Sequence, residues 1–221
     1  MSADLPRIAI LTSLVFAVAA VYPRAASGQD QPPRIGPFVV DIRGTAPNFP
    51  SDELLAASRG LAVAELPGRG LGLDGGAHLY LFKWRVITLG VGAQVTFARA
   101  SSPAVVQDGA ETARAVTSWF TSFTPQLSFN FGTGEGWSYI SGGLGTSVWS
   151  TVPDNQDPLP GDQERLKTLN YGGGARWFAK PHLAFTFDVR FHQIDPGSPQ
   201  GELPGSPRTT MLIIGAGVSV K

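Results

Sequence analysis

The side chains able to carry chemistry are few and scattered. Cysteine is absent, so thiolate metal sites and cysteine nucleophiles are excluded. The three histidines, His78, His182 and His192, show no metal-ligand spacing. His78 and His192 fall on polar strand faces and read as interior polar residues. Asp154, Asn155, Asp157, Asp162 and Glu164 make an acidic stretch that could meet calcium, but the ordered EF-hand spacing is missing and a solvated loop is the simpler reading. Gly70-Leu71-Gly72-Leu73-Asp74-Gly75 matches a dinucleotide fingerprint by letters. Its leucines alternate as in a strand, and no helix follows as a βαβ unit requires. No P-loop is present. Lys plus Arg equals Asp plus Glu at 17 each, so nothing supplies the basic stripe a nucleic-acid partner would need. No catalytic, cofactor-binding or metal-binding residue is assigned, and no cofactor is expected.

What remains is a set of charges at regular places: Asp41, Arg43, Asp74, Arg176, Asp188 and Arg190. Each lies on the polar face of a segment with period two, and side chains alternate between the faces of a strand. The clearest segment is Leu183–Ile194. Leu183, Phe185, Phe187, Val189 and Phe191 take one face; Ala184, Thr186, Asp188, Arg190 and His192 take the other. Seven more segments behave similarly: Ile35–Arg43, Gly70–Trp84, Arg85–Arg99, Ala115–Phe131, Trp137–Trp149, Thr168–Lys180 and Thr209–Lys221. Pro125 suggests a bulge in the fourth, since proline donates nothing to a ladder. Arg176 and Asp188 are expected on neighbouring strands, opposite or diagonal across a hairpin according to its turn register. Trp84, Phe97, Trp137, Tyr139, Trp149 and Trp177 near strand ends suggest interfacial girdles, although Trp137 and Trp149 share parity with polar residues.

Eight strands is the even count of a small membrane barrel. The connections alternate long and short: long near 44–69, 100–114, 150–167 and 195–208, and short at Trp84-Arg85, Gly132–Gly136 and Lys180–His182. A membrane barrel puts long loops at one end and short turns at the other. The charged face must then line an interior just wide enough for side chains. Turned outward into water, the Phe, Leu and Val face would exceed tolerable patch sizes. In the first long loop Ser51 can cap a short helix ended by Gly60, with Leu54, Leu55, Leu61 and Val63 placed to pack over the barrel mouth.

Upstream, Arg7 precedes an apolar run from Ile8 to Val21 and a small-residue segment, Ala25-Ala26-Ser27-Gly28. This is the pattern of a secretory signal peptide, and the run is too short for a spanning helix. The predicted organisation is a signal peptide over 1–28, a flexible lead-in over 29–34 and a barrel over 35–221.

Asn170-Tyr171-Gly172-Gly173-Gly174-Ala175-Arg176-Trp177-Phe178, followed by Leu183–Arg190, resembles the closing hairpin of the OmpA-like, porin-family outer-membrane β-barrel domains. Chains of that family usually end in an aromatic residue; this one ends Val218-Ser219-Val220-Lys221, with no peptidoglycan-binding domain after the barrel. Phe191-His192-Gln193-Ile194 also resembles the position of the His-x-Ser motif in lipid A deacylases of the PagL kind. There the histidine is general base to a serine two residues on. Here that position is Ile194, and the next serine is Ser198.

The sequence therefore predicts an all-β, eight-stranded antiparallel transmembrane barrel of up-and-down topology, exported to the cell outer membrane. Its expected partners are the lipid bilayer, lipopolysaccharide and molecules met by the outer loops. A structural or loop-mediated role is expected, neither enzymatic nor that of a wide pore. A lipid A-modifying enzyme and a narrow solute channel are the alternatives.

Overall fold

In a computed structural model, residues 34–108 and 110–221 are described. The expected signal peptide, 1–28, and all of the expected lead-in but Arg34 lie outside them. Eight long strands close into one barrel: β1 Phe38–Asn48, β2 Gly70–Trp84, β3 Ile87–Ser102, β6 Val116–Thr133, β7 Gly136–Pro153, β8 Leu166–Lys180, β9 Leu183–Ile194 and β10 Thr209–Val220. All pairings are antiparallel, in the order β1-β10-β9-β8-β7-β6-β3-β2, and β2 returns to β1. Each strand pairs with its sequence neighbour in the barrel wall, and β1 with β10 closes it. Closure satisfies the strands' backbone groups without leaving an edge. A small hairpin, β4 Val105–Gln107 and β5 Ala110–Ala113, stands apart in the second long loop.

The predicted segments recur with shifted ends. β1 begins three residues late and runs on to Asn48, because Gly44 to Asn48 continue the ladder with both β10 and, in part, β2. The first short turn is Arg85-Val86, with Arg85 at φ +55°. Pro125 makes no bulge. The β6–β7 ladder lapses across residues 124–126, yet Phe123 still faces Thr146 and Leu127 faces Gly142 in one register. The bulges lie instead between Tyr80 and Phe82 and between Phe178 and Lys180.

The wall has its apolar side outward. Leu71 is 78% exposed, Leu144 75% and Phe185 65%, with Ile42, Leu73, Phe97, Phe123 and Phe129 among many others in the same condition. Trp84, Trp119 and Trp177 also face out. Trp137, Tyr139 and Trp149 do not: all three are buried inside the barrel. Their parity with Ser141 and Ser147 is obeyed, and the girdle expected of them is corrected accordingly.

The helix α1, Glu53–Ser58, sits in the first long loop. Its cap is Asp52 rather than Ser51: Asp52 Oδ1 accepts from the Leu55 N–H at 2.9 Å. Gly60, at φ +61°, follows its end. Leu55 and Leu61 are buried, whereas Leu54 and Val63 remain exposed.

Candidate functional site

The barrel interior is stratified into three layers. The middle one is ionic, built from three arginines and three aspartates, each no more than 3% exposed. Strand alternation delivers them: Asp41 and Arg43 from β1, Asp74 from β2, Arg176 from β8, Asp188 and Arg190 from β9. Arg176 reaches across to Asp41, with Nε at 2.8 Å and Nη2 at 2.5 Å from the carboxylate oxygens. Asp41 also accepts from Ser219 Oγ at 2.5 Å and lies 3.6 Å from Arg43. Arg43 donates to Asp74 Oδ1 through Nε at 3.0 Å and Nη2 at 2.5 Å. Arg190 folds back on Asp188 at 2.7 Å along its own strand. Arg176 and Asp188 are thus diagonal neighbours, not partners: Arg176 faces Thr186, and Asp188 faces Gly174.

Neutral groups complete the belt. Tyr139 donates to Asp188 and accepts from Arg43 Nη1 at 3.2 Å. The Arg176 guanidinium stacks 4.1 Å from the centre of its ring. Gly174 makes this possible, because a β-carbon there would lie 2.8 Å from the phenol oxygen. Gln94 and Thr96 donate to Asp74, and Gln126 donates to Gln94 at 2.6 Å. Buried charges persist only when paired and hydrogen-bonded. Three positive and three negative groups leave this belt formally neutral. Sequence reasoning missed Tyr139 here, although its parity with Ser141 placed it inside.

Toward the short turns the belt is closed by an aromatic layer. Trp137 meets Tyr80 edge-on at 5.7 Å and stacks on Phe178 at 5.1 Å. Lys221 Nζ lies 3.8 Å from the Phe178 ring centre and donates to the Gly134 carbonyl. Burial lowers the Lys221 pKa, with Glu135 acting against that shift.

Toward the long loops the cover is aliphatic and aromatic. Phe120, Trp149, Met211 and Ile213 from the strands pack with Phe49 and Leu55 from the first loop. Arg59, just after α1, ties this lid down. It donates to the Trp149 carbonyl at 3.1 Å and lies 3.5 Å from Asp162. Burial draws the Arg59 pKa below its ordinary value, opposed by Asp162. Asp162 itself accepts from the backbone N–H groups of Thr151 and Leu159 at 2.8 and 2.9 Å. Glu65 gathers the Ala62 N–H and the Arg114 side chain and N–H, all at 2.7–3.1 Å. The Arg114 hydrogen bonds, aided by the Ala62 N–H, hold the Glu65 carboxyl down at about 2, against the opposing effect of burial.

The histidines divide as follows. His78 and His192 are buried on the inner face. His192 Nε2 lies 3.3 Å from Asn170 Nδ2, and its ring meets Phe120 edge-on at 5.3 Å. Ser198 lies in the last long loop, and its Oγ donates to Glu164 at 2.8 Å. The structure shows no contact between His192 and Ser198. His182 is exposed in a short turn. Among the described residues, no three His, Asp or Glu side chains gather as a metal site. The letters Gly70–Gly75 lie inside β2.

An apolar wall around a paired ionic interior is the inverse of a water-soluble barrel and defines a membrane-spanning β-barrel. No family model and no curated protein matches the chain. Among solved structures, Neisserial surface protein A aligns at TM-score 0.50 and 14% identity, over 84% of this chain and 97% of that one. OprG from Pseudomonas aeruginosa aligns at TM-score 0.46 and 12% identity, over 85% and 97%. Ail, the attachment invasion locus protein of Yersinia pestis, aligns at 0.46 and 12%, over 82% and 97%. The first likeness bears out the eight-stranded barrel fold.

Proposed function

We propose that the protein is an integral outer-membrane barrel that works as a closed, non-enzymatic platform. Its structured loops face outward to meet partners or reinforce the envelope. The reading rests on the blocked interior: an ionic belt with every arginine paired, sealed by Trp137 on one side and by the Phe120–Trp149–Leu55 layer on the other. An eight-stranded barrel has little room to spare once its interior is filled. Lipid and lipopolysaccharide are the partners such a wall would meet.

Two measurements test this. Outer membranes run on a detergent gel, boiled and unboiled, should show a band that changes mobility on boiling. The purified barrel in planar bilayers should show no unitary conductance; regular conductance steps would overturn the closed-interior reading. A non-enzymatic role is supported by the surroundings of His192, under Phe120, and by the engagement of Ser198 with Glu164. Cells expressing the wild-type protein or His192→Ala should carry identical lipid A. Deacylation that appears with the wild type and vanishes in the variant would replace this reading with the enzymatic one.

A further inference from the structure

We propose that Arg69 and Arg99, beside the indole of Trp119, form a docking site for the phosphate of an outer-leaflet lipid. The site lies on the outer wall, at the long-loop edge of the apolar belt. This assignment rests on the outer-membrane reading above.

The register builds the site. Leu71 faces Arg99 across β2–β3, and Arg99 faces Trp119 across β3–β6, so these three form one outward row. The next row toward the membrane centre is Leu73, Phe97 and Thr121. One row the other way, Ser101 faces Thr117, and Arg69 extends β2 on the same side through its bridge to Asn48. The outward wall thus changes from leucine and phenylalanine to guanidinium and hydroxyl within two rows. An open cleft runs here, lined by Arg69, Leu71, Arg99 and Ser101. The Arg99 guanidinium rests 5.0 Å from the centre of the Trp119 ring, which orients the cation on the wall.

Neither arginine is neutralised. Among the described residues no carboxylate oxygen lies within 4.0 Å of either, whereas Arg114 and Arg208 are held by Glu65 and Asp195. Asp154, on the loop side of this row, meets Thr117 Oγ1 at 3.4 Å. Two cations beside an exposed leucine and an indole suit a group that is both anionic and attached to acyl chains. Guanidinium forks match phosphate oxygens, and the apolar rows below receive the chains. A free phosphate would gain nothing from those rows.

The test uses the folded barrel, checked by its heat-dependent mobility, in phosphatidylcholine vesicles with and without diphosphoryl lipid A. Binding is read as lipid A retained per barrel after transfer to zwitterionic detergent. Each cation near an anionic surface contributes roughly a fivefold change in affinity, so Arg69→Gln with Arg99→Gln should weaken retention about 25-fold. Lys83→Gln with Arg85→Gln removes the same charge from the opposite rim and should leave retention within about twofold. Inorganic phosphate at millimolar concentration should not compete. Equal losses in both double variants, unchanged retention in the first, or full competition by inorganic phosphate would each overturn the site. A first double variant that keeps the mobility shift but loses retention supports it. A wild-type chain with no mobility shift would instead refute the membrane-barrel reading beneath it.

Discussion

Removing the Asp41 carboxylate is the sharpest perturbation of the belt. Asp41 is fully buried and holds both Arg176 and Ser219. In Asp41→Ala, Arg176 keeps its place against the Tyr139 ring but loses its counter-charge. Stripping one partner from a buried pair costs about 3–5 kcal/mol, because the other charge stays behind unpaired. The stranded Ser219 hydroxyl adds about 1 kcal/mol, and the two effects overlap. A loss of about 4 kcal/mol is therefore expected. Replacing both partners, Asp41→Leu with Arg176→Met, should restore stability to within about 1 kcal/mol, since an apolar pair of similar volume needs no counter-charge. Reversible urea titration of the barrel in lipid vesicles, followed by tryptophan emission and gel mobility, gives the differences from the midpoints at constant slope. A single-variant loss below about 1 kcal/mol would refute the reasoning. It would mean the pair behaves as one exposed to water, and so that the interior is wet. A double variant no better than the single would refute it as well.

Two other outcomes follow from the closures. Trp137→Ala removes the stacked centre of the aromatic layer; it should cost about 3–5 kcal/mol in the same urea titration while planar bilayers stay free of unitary steps, because the paired belt and the loop-side cover remain in place. Glu65 titrates at about 2, below its ordinary 4.5, so its contribution to holding the first and second long loops is complete above pH 4.5 and disappears as pH falls through about 2. Amide protection at Ala62 and Arg114, taken relative to the intrinsic exchange rate at each pH, should fall across that window in the wild type. In Glu65→Gln it should be low at every pH, and a wild type whose protection stays flat would dissociate Glu65 from loop order.

Leu183–Ile194 was readable because lipid on one side and a filled interior on the other leave no tolerance for a slipped residue. The same logic located all six belt charges. It gave no partners, because Arg176 finds Asp41 only through a closure between strands 135 residues apart. Tryptophans on β7 misled through chemistry: indoles suit both a membrane interface and a packed interior, and only their parity distinguished the two. Pro125 was expected to bulge, but pairing can lapse locally while flanking contacts keep the register. Ser51 and Asp52 both make good caps, and one-residue shifts at helix ends lie below what spacing determines. Val105–Gln107 and Ala110–Ala113 are too short for alternation to speak. The lipid-facing arginines needed the register itself, since Arg69, Arg99 and Trp119 stand far apart in sequence and meet only as rows of the wall.

Ser219, near the last strand's end, donates to Asp41 in the first, and Arg176 completes the same cluster from β8. Until β10 zips onto β1, Asp41 therefore lacks one of its donors, and the ionic face of the growing sheet lies open. An open sheet of this sequence cannot enter hydrocarbon cheaply, because its unpaired edges and half-matched charges would enter with it. Pairing β10 with β1 therefore removes the last open edge and completes the Asp41 cluster together.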